Sequence, residues 1–484
     1  MRKPDRQILP GQDHPACSDR LDDQTSTGSK VFLFFTGDCM KLYNSLTNAL
    51  ETFKPMEEGK VSIYVCGPTV YNYPHVGNAR PIVVFDTLVK TLEKTGLDVT
   101  YASNFTDVDD KIINTAIEEN TTEKEITDRY IEAYRKTRKD LNAKEPDTAP
   151  RVTETMDKII SFIDELVQKG AAYEVDGDVY YRVDSDPRYG ELSKQRPEDL
   201  KVGARIDENE KKENPLDFTL WKTTDKGIQW DSPWGKGRPG WHTECVVMIQ
   251  DVFKKPLIDI HGGGMDLKFP HHENEIAQCR SLHDTSLANY WIHNGMINID
   301  GEKMSKSLGN VRWAKDLIEK VGGPVVRWAL IQTHYRAPLD LTEKTLEDAA
   351  REIEKIRKPM QQAVLQLALK GESVHEEEKA DEFWKEFMAA MEEDLNTPNA
   401  ISALQKTVKA LNGALRQREL DAGYISGLVY AIENMLYVLG IEVELIQPEE
   451  QDLEDWRSWK ACVKEKDFEH ADAYRARLME KGLI

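Results

Sequence analysis

Long apolar runs, a disulfide framework and an excess of basic residues are all missing from this 484-residue chain. No uninterrupted run of about 18 apolar residues occurs, so neither a membrane span nor a membrane partner is expected. Six cysteines are too few for a disulfide scaffold and indicate cytosolic thiols, metal ligands or small buried side chains. The net charge of −21 argues against a nucleic-acid partner, because phosphate binding usually leaves a basic footprint. Length and composition predict a soluble, cytoplasmic protein of two or three domains.

The common signatures of nucleotide and zinc enzymes are missing as well. The chain has no Walker A sequence, and no G-x-G-x-x-G motif follows its first predicted strand. The helix that begins near Pro270 does not carry the HExxH motif of zinc proteases, because Ile276 stands where the second histidine is needed. A nucleotide or metal site in this chain must therefore be assembled in another way.

The patterning from residue 61 onward predicts an α/β fold. "VSIYVC" (61–66) reads as a buried strand, a helical pattern runs from Ile82 to Gly96, and "DVTYASNF" (98–105) reads as the next strand. Charged helical sequence and short strands, with a hairpin or a single strand at "EVDGDVYYRV", fill the middle before sheet patterning returns at "LIDIHGGGMD". We predict a Rossmann-like, doubly wound parallel-sheet domain with an inserted subdomain, followed by an all-α C-terminal region.

One candidate metal site combines four separated residues. His271 and Glu275 are four positions apart, so both face one side of the predicted helix, and they offer half of a tetrahedral zinc site. Cys66 and Cys245, each at the apparent end of a strand or turn, are candidates for the other half. Taken alone, a His–Glu pair at this spacing is more often part of a solvated helix surface. A single cysteine is more often a small buried side chain.

Two further stretches suit the handling of phosphate. "PHVGNAR" places His75 and Asn78 where a loop enters a helix, and Gly77 allows a close approach of ligand to backbone. Farther on, "GEKMSKSLGN" offers Lys303 and Lys306 in a glycine-flanked loop, where point charges stabilise a pyrophosphate leaving group. The alternative for the second stretch is an exposed polar loop without a function.

Taken together, these stretches resemble a known family. The pairing of "HVGN" after the first strand with "KMSKS" after the last is similar to the paired signatures of class I aminoacyl-tRNA synthetases. Longer blocks narrow the resemblance to the cysteinyl-tRNA synthetase family: "YVCGPTVYNYPHVGNARP", "NFTDVDDKI", "NPLDFTLWK", "WDSPWGKGRPGWHTEC", "IHGGGMDLKFPHHENEIAQ" and "GEKMSKSLGN". These blocks occur in order between residues 64 and 310, and the resemblance as a whole runs from Met40 to near the end of the chain.

The resemblance implies a function for individual residues. It implies one zinc ion per chain, with the ligands Cys66, Cys245, His271 and Glu275. It implies a cysteine pocket containing Thr106 and Trp241. It implies an ATP site, occupied with Mg²⁺, at His75, Gly77, Asn78, Asp266 and Lys306. It implies catalytic roles for His75, Asn78, Lys303 and Lys306. The implied reaction is ATP-dependent activation of L-cysteine to cysteinyl-adenylate and its transfer to tRNA(Cys) by a monomer, with zinc selecting the substrate thiolate.

The same resemblance divides the chain into regions. Residues 1–39 are predicted to be a disordered extension, although a functional arm is the alternative. A class I catalytic domain is expected over 40–325, with the insertion at about 115–225, then a stem-contact linker over 326–350 and a helical tRNA- and anticodon-binding region over 351–484. Two alternatives remain: a ligase that joins cysteine to an amino sugar, and a non-catalytic relative that binds zinc or tRNA.

Overall fold

The part of the chain that the computed structural model describes comprises residues 40–195, 211–303, 311–375 and 380–484. The predictions for residues 1–39 and for Lys306 lie outside these ranges. Within them, the strands are β1 Lys41–Asn44, β2 Ala49–Thr52, β3 Lys60–Val65, β4 Asp98–Ser103, β5 Ala172–Val175, β6 Asp178–Tyr181, β7 Phe218–Thr223, β8 Gly237–Pro239, β9 Ile258–Gly264, β10 Ala288–Asn294, β11 Ile297–Ile299, β12 Glu302–Lys303 and β13 Leu339–Leu341. The helices are α1 Val76–Lys94, α2 Asp110–Glu119, α3 Glu123–Asp140, α4 Met156–Gln168, α5 Trp241–Phe253, α6 Glu273–His283, α7 Ala314–Val321, α8 Gly323–Ile331, α9 Glu343–Lys370, α10 Asp381–Glu392, α11 Thr397–Leu415, α12 Ala422–Leu439, α13 Glu450–Glu465 and α14 Phe468–Glu480.

A parallel sheet with the strand order β10-β9-β3-β4 carries the N-terminal half and confirms the predicted fold class. Five of the six residues of β3 are buried, as expected for a strand that is covered on both faces. From β3 the chain passes through α1 to β4 on one side, whereas β9 and β10 lie on the other side. The order therefore reverses between β3 and β9, and ligands of such sheets bind beside the carboxyl ends of the strands at this switch point.

The long excursion between β4 and β9 contains helices and a second, antiparallel sheet of the order β5-β6-β7-β8. The predicted hairpin is present, since β5 and β6 pair antiparallel from Ala172↔Tyr181 to Val175↔Asp178. Helix α5 follows β8 directly and packs against α6. The inserted segment between β4 and β9 thus ends with helix α5, which lies next to the switch point of the parallel sheet.

Helices α9 to α14 make up the C-terminal region, as the sequence predicted. Of the described residues, only α12 is long and apolar enough to meet a length and hydropathy criterion for a membrane span, and 61% of it is buried inside the protein. Glu433 and Asn434 interrupt its apolar side chains. Its burial is that of a core helix, because it packs against α9, α10, α11 and α1.

Candidate active site and metal cluster

The loop that follows β3 forms one wall of an open cavity of about 460 Å³. Cys66 begins this loop, and His75 ends it. Both residues line the cavity, together with Gly77, Asn78 and Trp241. The cavity therefore lies at the switch point of the sheet, and a single loop brings a thiol and the start of a helix to it.

Four potential ligand atoms meet at the Cys66 end of the cavity, and the side chains that carry them are called the metal cluster: Cys66, Cys245, His271 and Glu275. Sγ of Cys66 lies 3.5 Å from Sγ of Cys245, 3.6 Å from Nε2 of His271 and 3.6 Å from Oε1 of Glu275. Nε2 of His271 lies 2.9 Å from Oε1 of Glu275. Bond lengths of about 2.0–2.3 Å around a tetrahedral zinc ion place its ligand atoms roughly 3.3–3.8 Å apart. The three distances from Cys66 fall in this range, whereas His271 and Glu275 are closer because they are hydrogen-bonded to each other. The donor set fits a tetrahedral zinc ion once that hydrogen bond opens.

The supporting elements differ in two ways from the prediction. Cys245 lies on helix α5, where a strand end or turn was expected. His271 lies in an irregular turn, in which Phe269 has non-helical backbone angles, and the regular helix α6 begins only at Glu273. The spacing of four residues still aligns His271 with Glu275. Three of the ligands are at most 2% exposed, whereas Cys66 is partly exposed and faces the cavity.

The protonation of the cluster follows from its burial and close contacts. A hydrogen bond from Cys66 lowers the pKa of Cys245 to about 7, against the opposing effect of burial. Burial and the neighbouring Cys245 raise the pKa of Cys66 well above its usual value. Burial opposes the charge on His271, but Glu275 and Cys245 raise its pKa to about 10. Without a cation the cluster therefore holds protons that a metal ion must displace.

His75 is the N-cap of α1. Its Nδ1 accepts a hydrogen bond from the backbone N–H of Asn78 at 3.3 Å, and Oδ1 of Asn78 accepts one from the backbone N–H of His75 at 3.1 Å. Because Nδ1 is an acceptor, a neutral His75 ring carries its proton on Nε2. Nε2 is then a donor beside the positive end of the α1 dipole, an arrangement suited to phosphate.

The other candidate residues take different positions. Trp241 is 41% exposed and stacks on the His271 ring at a centroid distance of 4.3 Å, so it covers the metal cluster at the cavity mouth. Asp266 lies in the turn after β9 and lines the cavity. Thr106 is buried: its hydroxyl donates to Glu244 at 3.1 Å and accepts from Asn104 at 3.2 Å. It therefore supports the loop after Cys66 from behind and lines none of the cavity.

Comparisons with known proteins decide the family. The family model described as the "tRNA synthetases class I (C) catalytic domain" matches residues 52–351, and a DALR domain model matches residues 386–444. The cysteine–tRNA ligases of Brevibacillus brevis and Oceanobacillus iheyensis are 44% and 46% identical to the chain, with 92% of this chain and 97% of each relative covered. The chain belongs to the cysteine–tRNA ligase family.

Solved structures agree with this cysteine–tRNA ligase fold. Methionyl-tRNA synthetase of Mycobacterium tuberculosis, in complex with methionyl-adenylate, superimposes with a TM-score of 0.58 at 14% identity, covering 82% of this chain and 93% of that one. Arginyl-tRNA synthetase of Thermus thermophilus gives a TM-score of 0.53 at 12% identity, covering 83% and 85% of the two chains. At such identities the likeness establishes the class I fold alone.

The two lysines of the "KMSKS" stretch belong to the segment between β11 and α7. Lys303 is the last residue of β12, and its backbone pairs with Asn298. After the undescribed residues 304–310, the chain returns to the cavity, where Val76 donates a backbone hydrogen bond to Arg312 at 3.0 Å and Ala314 donates one to Pro74 at 2.9 Å. Backbone hydrogen bonds thus join the first signature stretch of this cysteine–tRNA ligase family member to residues that follow shortly after the second.

Sequence reasoning missed a group of buried histidines around the metal cluster. Nε2 of His261 lies 2.7 Å from Oε2 of Glu275, and Nδ1 of His242 lies 3.1 Å from Nδ1 of His271. Such contacts orient the ligands of a metal ion. Burial lowers the pKa of His242 to about 3, which keeps its ring neutral. A signal existed, since six of the eleven histidines of the chain fall within residues 242–293.

An overlapping set of four potential ligands is also present, comprising Cys66, His261, His272 and Glu275. It shares Cys66 and Glu275 with the first set but offers one thiol instead of two. His261 is already hydrogen-bonded to the carboxylate of Glu275, and Nδ1 of His272 lies 2.8 Å from Nε2 of His293. The set that contains Cys245 and His271 is therefore the better zinc site.

Proposed function

We propose that this chain activates L-cysteine with ATP and transfers it to tRNA(Cys), using a zinc ion to select the substrate. The observation that carries the proposal is the convergence of Cys66, Cys245, His271 and Glu275 at the end of a cavity that also contains the N-terminus of α1. Membership of the cysteine–tRNA ligase family supports the same reaction. The amino acid and the nucleotide can then bind side by side in one cavity.

Zinc would be held by two thiolates, one imidazole and one carboxylate. When bound, the ion supplies a soft Lewis acid that takes the thiolate of the substrate cysteine as a further ligand. The hydroxyl of serine is far less acidic than a thiol and is a harder ligand, so it competes poorly. A purely apolar pocket separates two such similar substrates by only about 1–3 kcal/mol. Metal selection therefore explains how serine is rejected without an editing domain.

The remaining residues of the cavity orient the substrate around this ion. Trp241, stacked on the ring of His271, closes the exposed side of the cluster and provides an apolar surface for the cysteine side chain. Thr106 and Asn104 hold the loop that carries Cys66, because Oδ1 of Asn104 accepts from the backbone N–H of Gly67 at 2.8 Å. Thr106 thus acts on the cysteine pocket through this loop, instead of touching the substrate.

Activation needs positioning and charge stabilisation at the other end of the cavity. The carboxylate of cysteine attacks the α-phosphorus of ATP, the bond to the β-phosphate bridge breaks, and pyrophosphate leaves. Nε2 of His75, Asn78 and the N-terminal backbone of α1 donate to phosphate oxygens as charge develops. Lys303 and Lys306 stabilise the negative charge on the departing pyrophosphate, which is bound to Mg²⁺. Asp266 binds the ribose of ATP. Gly77 leaves space for the phosphates beside the helix.

In the second half of the reaction, the terminal ribose hydroxyl of tRNA attacks the cysteinyl carbonyl and AMP leaves. We assign the tRNA to the helical region over 351–484, reached from the catalytic domain over 40–325 through a stem-contact segment over 326–350. The basic residues of the last helices are partly neutralised, because Arg477 pairs with Asp455 at 2.7 Å and Lys481 with Asp452 at 2.7 Å. One chain contains all of the residues to which we assign a role. The reaction therefore requires no second subunit, and we propose that the protein acts as a monomer in the cytoplasm.

The test is cysteine-dependent exchange of pyrophosphate into ATP, combined with metal analysis and tRNA charging. We expect one zinc ion per chain, exchange with cysteine but not with serine, and charging of tRNA(Cys). Cys245→Ser should lose zinc and cysteine-dependent exchange. Cys279→Ser is the matched control, because Cys279 is equally buried but contacts Pro256 and Thr285 away from the cluster.

Each rival function gives a different result in these assays. An amino-sugar ligase performs exchange with cysteine but charges no tRNA, and a non-catalytic relative performs neither reaction. Zinc retention with full exchange in Cys245→Ser contradicts the ligand assignment while leaving the reaction itself in place.

A further inference from the structure

A buried arginine lies directly behind one wall of the cavity. Arg80 belongs to α1, five residues after His75, and is 0% exposed. Its side chain does not line the cavity. Across the described ranges, no carboxylate lies within ion-pair distance of it. A buried guanidinium without an acidic partner is costly, so its placement needs a compensating set of hydrogen bonds.

Backbone carbonyls of two separate segments supply that compensation for the two terminal nitrogens, whereas the buried Nε has no hydrogen-bond partner among the described residues. Nη1 of Arg80 donates to the carbonyl of Gly295 at 2.8 Å and to that of Met296 at 2.9 Å. Nη2 donates to the carbonyl of Ala337 at 2.7 Å and, at 3.4 Å, to that of His334. One rigid, planar group therefore holds two segments that are about forty residues apart in sequence and fixes both to the helix that begins at His75.

The first of these segments is part of the cavity itself. Residues 294–297 line it, immediately after the carboxyl end of β10 and beside the end of β9, which leads to Asp266. The segment fits closely against the second one: Gly295 donates its backbone N–H to Tyr335 at 2.8 Å, and a Cβ at Gly295 would lie 2.4 Å from the carbonyl oxygen of Ala337. A small displacement of this wall changes the shape of the nucleotide end of the cavity.

We propose that Arg80 is a positioning residue for ATP, which holds the wall of Gly295 and Met296 at the distance from α1 that the nucleotide requires. The inference rests on the proposed use of ATP and names a residue that never touches it. The metal cluster lies at the opposite end of the same loop, and none of its four ligands contacts Arg80. Arg80 should therefore affect the binding of ATP and leave the binding of cysteine unchanged.

The charge of Arg80 is a separate contribution that the substitutions must distinguish. Burial lowers the pKa of Arg80 to about 10, so the group remains a cation at neutral pH. Arg80→Lys keeps this charge but has a single nitrogen on a flexible stem, which cannot span the two segments in the manner of a planar fork. Arg80→Gln removes the charge and keeps a short polar group.

The experiment is pyrophosphate exchange by the full chain, with ATP and cysteine varied in turn. We expect both Arg80→Lys and Arg80→Gln to raise the KM for ATP by about 10- to 100-fold, the size of loss that a displacement of about 1 Å at a binding site produces. The KM for cysteine and the zinc content should stay at the values of the unchanged chain. If the Arg80→Lys variant has the same KM for ATP as the unchanged chain, the charge alone matters and the proposal is overturned.

A matched control separates positioning from general stability. Arg327 is also 0% exposed and donates to backbone carbonyls, to Leu439 at 2.6 Å and to Leu141 at 2.8 Å. Unlike Arg80 it also pairs with the buried carboxylate of Asp86, and no residue that it contacts lines the cavity. Arg327→Lys should lower the melting temperature and leave the ATP KM unchanged. If both Arg80 variants lower the melting temperature and keep the normal ATP KM, the role is structural and the proposal is wrong. Absence of exchange in the unchanged chain would instead contradict the proposed function.

Discussion

The pH dependence of zinc binding tests the metal cluster most directly, because the structure sets how many protons the ion must displace. The pKa of His271 is raised to about 10 and that of Cys66 well above its usual value, so both are protonated in the metal-free protein up to high pH. The pKa of Cys245 is lowered to about 7, so this thiol has already lost its proton above neutral pH. As the metal-free protein binds more protons than the zinc-bound form, affinity must rise with pH.

The size of this pH effect follows from the number of protons released on zinc binding. We count them between about pH 8 and pH 9, where a cluster with the shifted pKa values differs most from one with ordinary pKa values. Here His271 and Cys66 each release one proton to the solvent, so the zinc affinity should rise about 100-fold per pH unit, or about 2.7 kcal/mol. Two ordinary cysteines and an ordinary histidine would together release only about one proton in this range, for a rise of about tenfold. The excess of about one proton comes from His271, whose pKa is raised by Glu275 and Cys245 against the effect of burial. The two thiols together release about one proton in either case.

The assay is competition for zinc against a chelator of known affinity at each pH, with the proton count checked by calorimetry in buffers of different ionisation enthalpy. His271→Gln should reduce the slope by about one proton, because the raised imidazole pKa is removed. Cys279→Ser should leave the slope unchanged, since this thiol lies outside the cluster. A slope of about one in the unchanged chain would refute the view that these four side chains form one hydrogen-bonded metal site.

Three further substitutions test the loop, the cysteine pocket and the helix cap. Gly67→Ala should destabilise the fold by at least about 2 kcal/mol in denaturant titrations, because the added Cβ would lie 1.6 Å from the carbonyl oxygen of Asn104. Gly413→Ala is the control and should be neutral or stabilising, since no atom lies within 4 Å of the added Cβ. Trp241→Ala should raise the KM for cysteine in pyrophosphate exchange without changing that for ATP, and an unchanged value would remove Trp241 from the pocket. His75→Ala should lower the exchange rate by roughly 100-fold with zinc content preserved, as removal of one transition-state donor does.

The local pattern of the sequence was sufficient to predict the β3-α1-β4 unit. The strand is β-branched and buried, and the helix has apolar spacing with a capping histidine and asparagine at its start. These signals depend on neighbours along the chain, which is why they are readable in sequence. The sequence also indicated that a candidate metal ligand and a candidate phosphate-binding residue lie close together, since Cys66 and His75 belong to the loop that follows β3.

The assembly of the metal cluster was not readable from local patterns. Cys245 reaches Cys66 across 179 positions, and it does so on a helix that follows an antiparallel sheet. Nothing in the spacing of its neighbours indicates that distance. The irregular turn at His271 could not be predicted either, because an ideal helix from Pro270 gives the same alignment with Glu275. The chemistry of the side chains suggested the four candidates, the family resemblance implied the same four, and their geometry is consistent with both.

The position of β3 in the sheet gives a physical reason for the proposal that selection and activation of an amino acid share a single cavity. The strand order reverses beside β3, so the loop after it is free of a covering crossover on either side. Its first residue, Cys66, faces Cys245 on α5, His271 in the turn before α6 and Glu275 on α6. Its last residue, His75, caps α1. Changes behind the loop should therefore alter metal and cysteine binding, whereas changes along α1 should alter the use of ATP. The two groups of variants are expected to be additive, because the residues that they remove share no contact.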